Sequence, residues 1–232
     1  MARKEYLSYE ERQRFDSPPI LSNMQRAIFI QLPDWAERYY KMLITPTNQV
    51  GFLLQLGYFR IVCRFFDPLQ FRPEDITFIQ KTGKNIDPNA VDMLLYKQSS
   101  SYYRHQQEIL SYLGFESFNN QHQLVLMKEA KRLAHLQVKP ANIVDSCIMY
   151  LRERRVEIPS YTIMRSIIYT ALSEYESDLE QTLEKYLQQP EKILLNEFLD
   201  KPDNLKRYEL TFLKRIPQSM SPSVIKYRVE LF

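Results

Sequence analysis

The sequence predicts an all-α protein, and three observations carry that expectation. Four glycines stand against thirteen prolines in 232 residues, too little glycine for a hairpin-rich β fold or a glycine-built phosphate loop. Apolar residues recur at helical spacing through most of the chain, with prolines punctuating the periodic segments. No run of eighteen apolar residues exists, and no fixed-period repeat of the solenoid kind is visible.

Taken in order, Ser8 caps a short helix through Phe15 that ends before Pro18-Pro19, and Ser22 caps a second to about Ile30. The stretch Trp35–Phe66 then reads as two helices around a tight break at Ile44–Thr47. Trp35, Tyr39, Met42 and Leu43 are expected inward on the first, and Thr47 is expected to cap a second helix opening at Asn48. Val50, Leu53, Leu54, Gly57 and Ile61 form that helix's inner face, where Gly57 allows a neighbouring backbone to approach. Pro73-Glu74-Asp75 begins another helix, stopped by Gly83. Asp87-Pro88 opens the next, with Val91, Leu94 and Leu95 inward, and Gly114 ends the helical run. Asn119 caps a helix with Leu124, Met127, Ala130, Leu133 and Ala134 inward. Ala141–Arg155 follows on Ile143, Val144, Cys147 and Leu151. A long helix starts near Tyr161 with Ile163, Ile167, Ala171 and Leu172 inward, and further helices are expected near 191–200, near 204–214 and after Ser221-Pro222. That last helix has barely begun at Phe232, which suggests the front part of a longer polypeptide. The resulting division is 1–72, a bridge over 73–117, 118–188 and 189–232.

Net charge is +3, unevenly distributed: residues 1–172 hold 22 Lys/Arg against 17 Asp/Glu, 173–203 hold 3 against 9, and 204–232 hold 6 against 2. Segregated basic groups suit a phosphate-binding surface, and a merely uneven solvated surface accounts for them equally. Cys63 and Cys147 lie in apolar helical patterns, which fits reduced, structural thiols in a cytoplasmic protein. His105, His122 and His135 have no Cys or His partner at metal-ligand spacing, so no metal site is expected. The N-terminus lacks a signal-peptide core, and no membrane association is expected.

Two places repeat one arrangement: an amphipathic helix, a short proline turn, and a helix opening with hydroxyl and amide groups. The first offers Thr45, Thr47, Asn48 and Gln49, with Arg38, Lys41, Arg60 and Arg64 around them. The second offers Ser160, Tyr161, Thr162 and Arg165, flanked by Arg152, Arg154 and Arg155, with Lys128, Lys131 and Arg132 on the preceding helix. Groups of this kind at a helix N-terminus hold phosphates and read base edges in a major groove, as helix-turn-helix units do. An ordinary helix pair with a solvated basic face has the same spacing.

The ordered segments LSYEERQRF (7–15), NQVGFLLQLGYFRIVCRFF (48–66), YLGFESF (112–118), LRERRVEIPS (151–160), TIMRSIIYTALSE (162–174) and LTFLKRIPQSMSP (210–222) resemble the N-terminal region of Tn-three-family replicative transposases. The resemblance implies recognition of terminal inverted repeats in double-stranded DNA by helix-turn-helix modules, and a homodimer in the full-length protein. It places the Mg²⁺-dependent catalytic domain downstream, so this chain is expected to be non-catalytic and to carry no cofactor. The competing reading is an all-α interaction or regulatory module, such as a transposase remnant without a DNA-reading role. Steeply salt-dependent, sequence-selective DNA binding distinguishes the first.

Overall fold

A helix that is apolar around its whole circumference has to be enclosed, and the fold is built on one. In the computed structural model, which describes residues 6–82, 86–136, 138–186 and 193, helix α4 runs Pro46–Val62 and every residue from Val50 to Phe59 is buried. The protein is all-α: ten helices are found among the described residues, in the order α1 Tyr9–Asp16, α2 Asn23–Arg26, α3 Asp34–Met42, α4, α5 Pro73–Thr82, α6 Met93–Gln98, α7 Ser100–Leu113, α8 Asn120–His135, α9 Pro140–Glu153 and α10 Tyr161–Tyr186. Two compact units divide at Tyr175 and Glu176. The second is described only at the exposed end of α10 and at Ile193, so the helices expected beyond Tyr186 lie outside the described residues, as does the Gly83 stop.

Within the first unit there are two apolar cores. The first wraps α4 with α5, α6, α7 and the 3-10 turn Ala27–Phe29, and buries Phe29, Ile79, Tyr96, Ile109 and Leu110 beside the α4 residues. The helices over 73–117 thus share a core with α4. The second core joins α8, α9 and the start of α10 through Leu126, Ala130, Ile143, Val144, Cys147, Met164, Ile167 and Ile168. Tyr6, Leu7 and Phe15 pack against this second core, far along the chain from the neighbours that sequence order suggests.

Capping residues set most boundaries. Ser8, Ser22 and Asn119 each complete a capping box, and Gly114 ends α7 in the left-handed region at φ 66°. The start of α4 is a correction. Its cap is Thr45, whose hydroxyl accepts from the Asn48 N–H, with Pro46 in the first helical position where no donor is missed. Thr47 is buried inside the first turn.

Several inward faces differ from expectation by a helical phase of one or two residues. Met42 is 68% exposed and Ala36 is the buried residue of α3; Leu94 and Leu95 point out while Tyr96 is buried. Leu124 is exposed and Leu126 buried, and Ile163 faces outward while Met164 and Ile168 face the core. Gly57 makes room for an aromatic ring, Phe29, where a backbone was expected, and Gly51 does the same for Tyr96.

Two buried polar clusters tie the first core together. In one, Gln55 Nε2 donates to Tyr96 Oη at 2.6 Å, and Tyr96 Oη lies 2.7 Å from His105 Nδ1. Phe52 and Tyr39 surround the imidazole, and this burial, helped by nearby Arg104, lowers the His105 pKa to about 4. A folded pKa below the unfolded one means stability is whole above about 6.5 and is lost as the pH falls toward 4. The stability difference between wild type and His105→Asn, followed by urea denaturation, is expected to shrink across that window. A difference constant from pH 7 to 4 contradicts it. Cys63 and Cys147 are both free, and burial pushes the Cys147 thiol up to about 12.

Candidate nucleic-acid interface

The short α3–α4 turn brings the first set of candidate residues together, and most of them are spent on the fold. Thr47 Oγ1 donates to the Ala90 carbonyl at 2.9 Å and accepts from the Asp92 N–H at 3.1 Å, so its buried hydroxyl has nothing left for a base edge. Gln49 Nε2 donates to the Leu43 carbonyl at 2.8 Å. Arg60 Nη1 donates to the carbonyls of Ile28 and Gln31 at 3.1 and 2.9 Å. Arg64 donates to the Phe15 carbonyl and to Asp16, and Lys41 Nζ pairs with Glu37 at 2.7 Å. Arg38 is exposed with no ion pair among the described residues, Asn48 is half-buried, and Thr45 is exposed as the cap. The helix behind them, α4, has no free face to lay in a groove.

In the second set the basic groups stand out from the surface. Arg152, Arg154 and Arg155 are all exposed at the end of α9, where Arg155 turns the chain in the left-handed region at φ 53°. The Arg154 guanidinium lies 4.4 Å from the centre of the Tyr150 ring, a cation–π contact that holds it without neutralising it. Lys128 is exposed on α8, whereas Lys131 pairs with Glu174 and Arg132 makes a forked bond to Glu129 at 2.6 and 2.9 Å. His122, in the capping box of α8, sits 3.2 Å from Glu116, and His135 meets the Tyr175 ring edge-on.

The α10 N-terminus is already capped. Its first amide, Tyr161 N–H, donates to Asp16 Oδ1 at 3.1 Å, and Ser160 Oγ accepts from the Ile163 N–H at 3.4 Å. The carboxylate of Asp16 therefore takes the position where a phosphate was expected. Tyr161 is buried, with its hydroxyl oxygen accepting from the Tyr6 and Leu7 N–H groups, and Arg165 is half-buried with a partner of its own. Further along, Thr162, Ser166, Tyr169 and Ser173 follow one another at helical spacing on the exposed face, with Ile163 beside them. Ser166, Tyr169 and Ser173 were missed in the sequence; their positions at i+4, i+7 and i+11 from Thr162 were the signal available. This stripe is about 17 Å long at 1.5 Å per residue. Hydroxyls that both donate and accept, with exposed arginines at the end of α9 that make no ion pair among the described residues, can contact base edges and phosphates respectively.

Residues 6–171 match a family described as a domain of unknown function, DUF4158. The chain belongs to the DUF4158 family. This DUF4158 chain is also similar to the transposase for transposon Tn1546 of Enterococcus faecium, 24% identical over 227 residues, covering 91% of this chain and 23% of that protein. It thus spans about a quarter of its relative's length. Among the described residues no group of three or more His, Cys, Asp or Glu side chains could hold a metal ion, and no helix is long and apolar enough to cross a membrane.

Proposed function

We propose that this chain is the non-catalytic DNA-recognition region of a Tn-three-type transposase, binding the terminal inverted repeats of its element. The observation that carries this reading is the similarity to a transposase along 91% of the chain, of which the chain spans only 23%. Exposure favours one set of residues. Thr162, Ser166 and Tyr169 on α10, all exposed, read the bases, and the exposed Arg152, Arg154, Arg155 and Lys128 hold phosphates. The α3–α4 region supplies flanking contacts through Arg38 and Asn48, while α4 serves as the scaffold. Strand transfer, its Mg²⁺ ions and the homodimer belong to the rest of the transposase.

Fluorescence anisotropy with a duplex carrying the terminal repeat, against a scrambled duplex of equal length, tests this. Binding is expected to prefer the repeat and to weaken steeply with salt. Changing Arg152, Arg154 and Arg155 together to alanine should weaken binding to both duplexes about tenfold and reduce the salt slope by about 3. No preference of the unaltered chain for the repeat sinks the proposal.

A further inference from the structure

Arg64 has the composition of a phosphate contact but the surroundings of an internal brace. Its side chain is 12% exposed, Nη1 donates to the Phe15 carbonyl at 2.7 Å, and Nη2 donates to Asp16 Oδ1 at 2.9 Å. The guanidinium lies 5.0 Å from the centre of the Phe15 ring and 5.3 Å from that of Phe66. The same Asp16 oxygen accepts the first amide of α10, from Tyr161. Tyr161 in turn is held by the Tyr6 and Leu7 N–H groups on its hydroxyl and by the edge of Phe15 at 6.1 Å. Alongside, the segment entering α10 is pinned to the end of α4, with Ile158 N–H donating to the Cys63 carbonyl at 2.9 Å. Three distant segments thus meet at the first turn of α10.

We propose that Arg64 and Asp16 are positioning residues that fix the orientation of the first turns of α10, and with it the alignment of the DNA-reading stripe. The inference rests on the reading of α10 given above. The second core holds the inner face of α10 through Met164, Ile167, Ile168 and Ala171, while the Arg64–Asp16–Tyr161 chain ties its first residue to α1 and to the end of α4. Base readout needs side chains placed within about 0.5 Å and 10–20°, and a forked guanidinium bound at both nitrogens and stacked between rings is suited to give that precision.

The test compares Arg64→Ala, Arg64→Lys and Asp16→Asn in the whole chain. A brace predicts that Arg64→Ala lowers the preference for the terminal-repeat duplex over the scrambled one about tenfold, with scrambled-duplex affinity and salt slope unchanged. Lysine should not restore the preference, since it lacks the fork. A direct phosphate contact predicts the opposite: both affinities fall together, the salt slope drops by about 1, and lysine restores most of the loss, which overturns the proposal. Where Arg64→Ala does not fold, Arg64→Lys and Asp16→Asn carry the comparison, and loss of preference with unchanged salt slope is again the supporting result. Hydrogen exchange of the DNA-free chain separates this inference from the functional reading. Amides at 161–165 should exchange faster in the variants while those of α9 do not. Unchanged exchange at 161–165 overturns the brace even if DNA binding is found, and absence of any duplex preference in the unaltered chain removes the DNA reading while the exchange result still decides the brace.

Discussion

Asp75→Ala is expected to destabilise the protein by about 3–5 kcal/mol, measured as a drop in the free energy of urea unfolding. Asp75 is fully buried at the start of α5 and uses both oxygens: Oδ1 accepts from Arg26 Nε at 2.6 Å and Oδ2 from the Tyr58 hydroxyl at 2.6 Å. Burial, and after it the hydrogen bond to Asp75, push the Tyr58 phenol well above its ordinary range. Truncation leaves a guanidinium that is itself largely sequestered without its counter-charge, and a phenol without its acceptor. Asp75→Asn keeps the shape and one acceptor, so it should cost roughly half as much. Tyr58→Phe removes the orphaned hydroxyl, and the double variant with Asp75→Ala should therefore cost less than the two single changes added together. Simple additivity, or an Asp75→Ala cost below about 1 kcal/mol, rules out the buried cluster as a source of stability.

Gly57→Ala is expected to cost about 3 kcal/mol, at the upper end for overpacking. A β-carbon there would lie 2.1 and 2.4 Å from two atoms of the Phe29 ring, which is fully buried and packed edge-on against Tyr58 at 5.3 Å. Alanine in mid-helix would ordinarily gain about 1 kcal/mol over glycine, so the sign of the measured change decides which effect wins. Gly57→Ala should cost much less in a Phe29→Ala background than in the unaltered chain, so that the two changes are not additive. A neutral or stabilising Gly57→Ala means the ring does not sit where the structure has it. Gly51→Ala meets the Tyr96 ring at 2.4 Å in the same way, and there the ring is anchored by Gln55 and His105.

The fold class and most helix boundaries were legible because caps and breakers act locally. Ser8, Ser22, Asn119, Pro140 and Gly114 do in the structure what their chemistry dictates. Burial was legible only where periodicity was strong. The VGFLLQLGYF stretch reads as one apolar face with polar interruptions, yet it is buried all round, because Gln55 and Tyr58 are absorbed by Tyr96 and Asp75 across 41 and 17 residues of sequence. The candidate site suffered from the same limit. Arg60 and Arg64 look like free cations in a list of residues, and only the fold shows the carbonyls of Ile28, Gln31 and Phe15 that occupy them. Arg152, Arg154 and Arg155, expected to flank the second unit, are exposed at the end of α9.

The pairing of Asp16 with Tyr161 closes a loop of 145 residues. During synthesis, the first core can assemble once residue 115 has emerged, since its buried residues fall between Leu21 and Leu110. The second core has to wait for the start of α10, and Tyr6 to Asp16, which precede both cores in the sequence, find their partners only then. Until then Tyr6, Leu7 and Phe15 are exposed apolar groups without a docking surface. The unit's slowest folding step and its window of greatest vulnerability to aggregation should therefore lie at the joining of α1 to the start of α10, a cost of topology that grows with the length of chain to be closed.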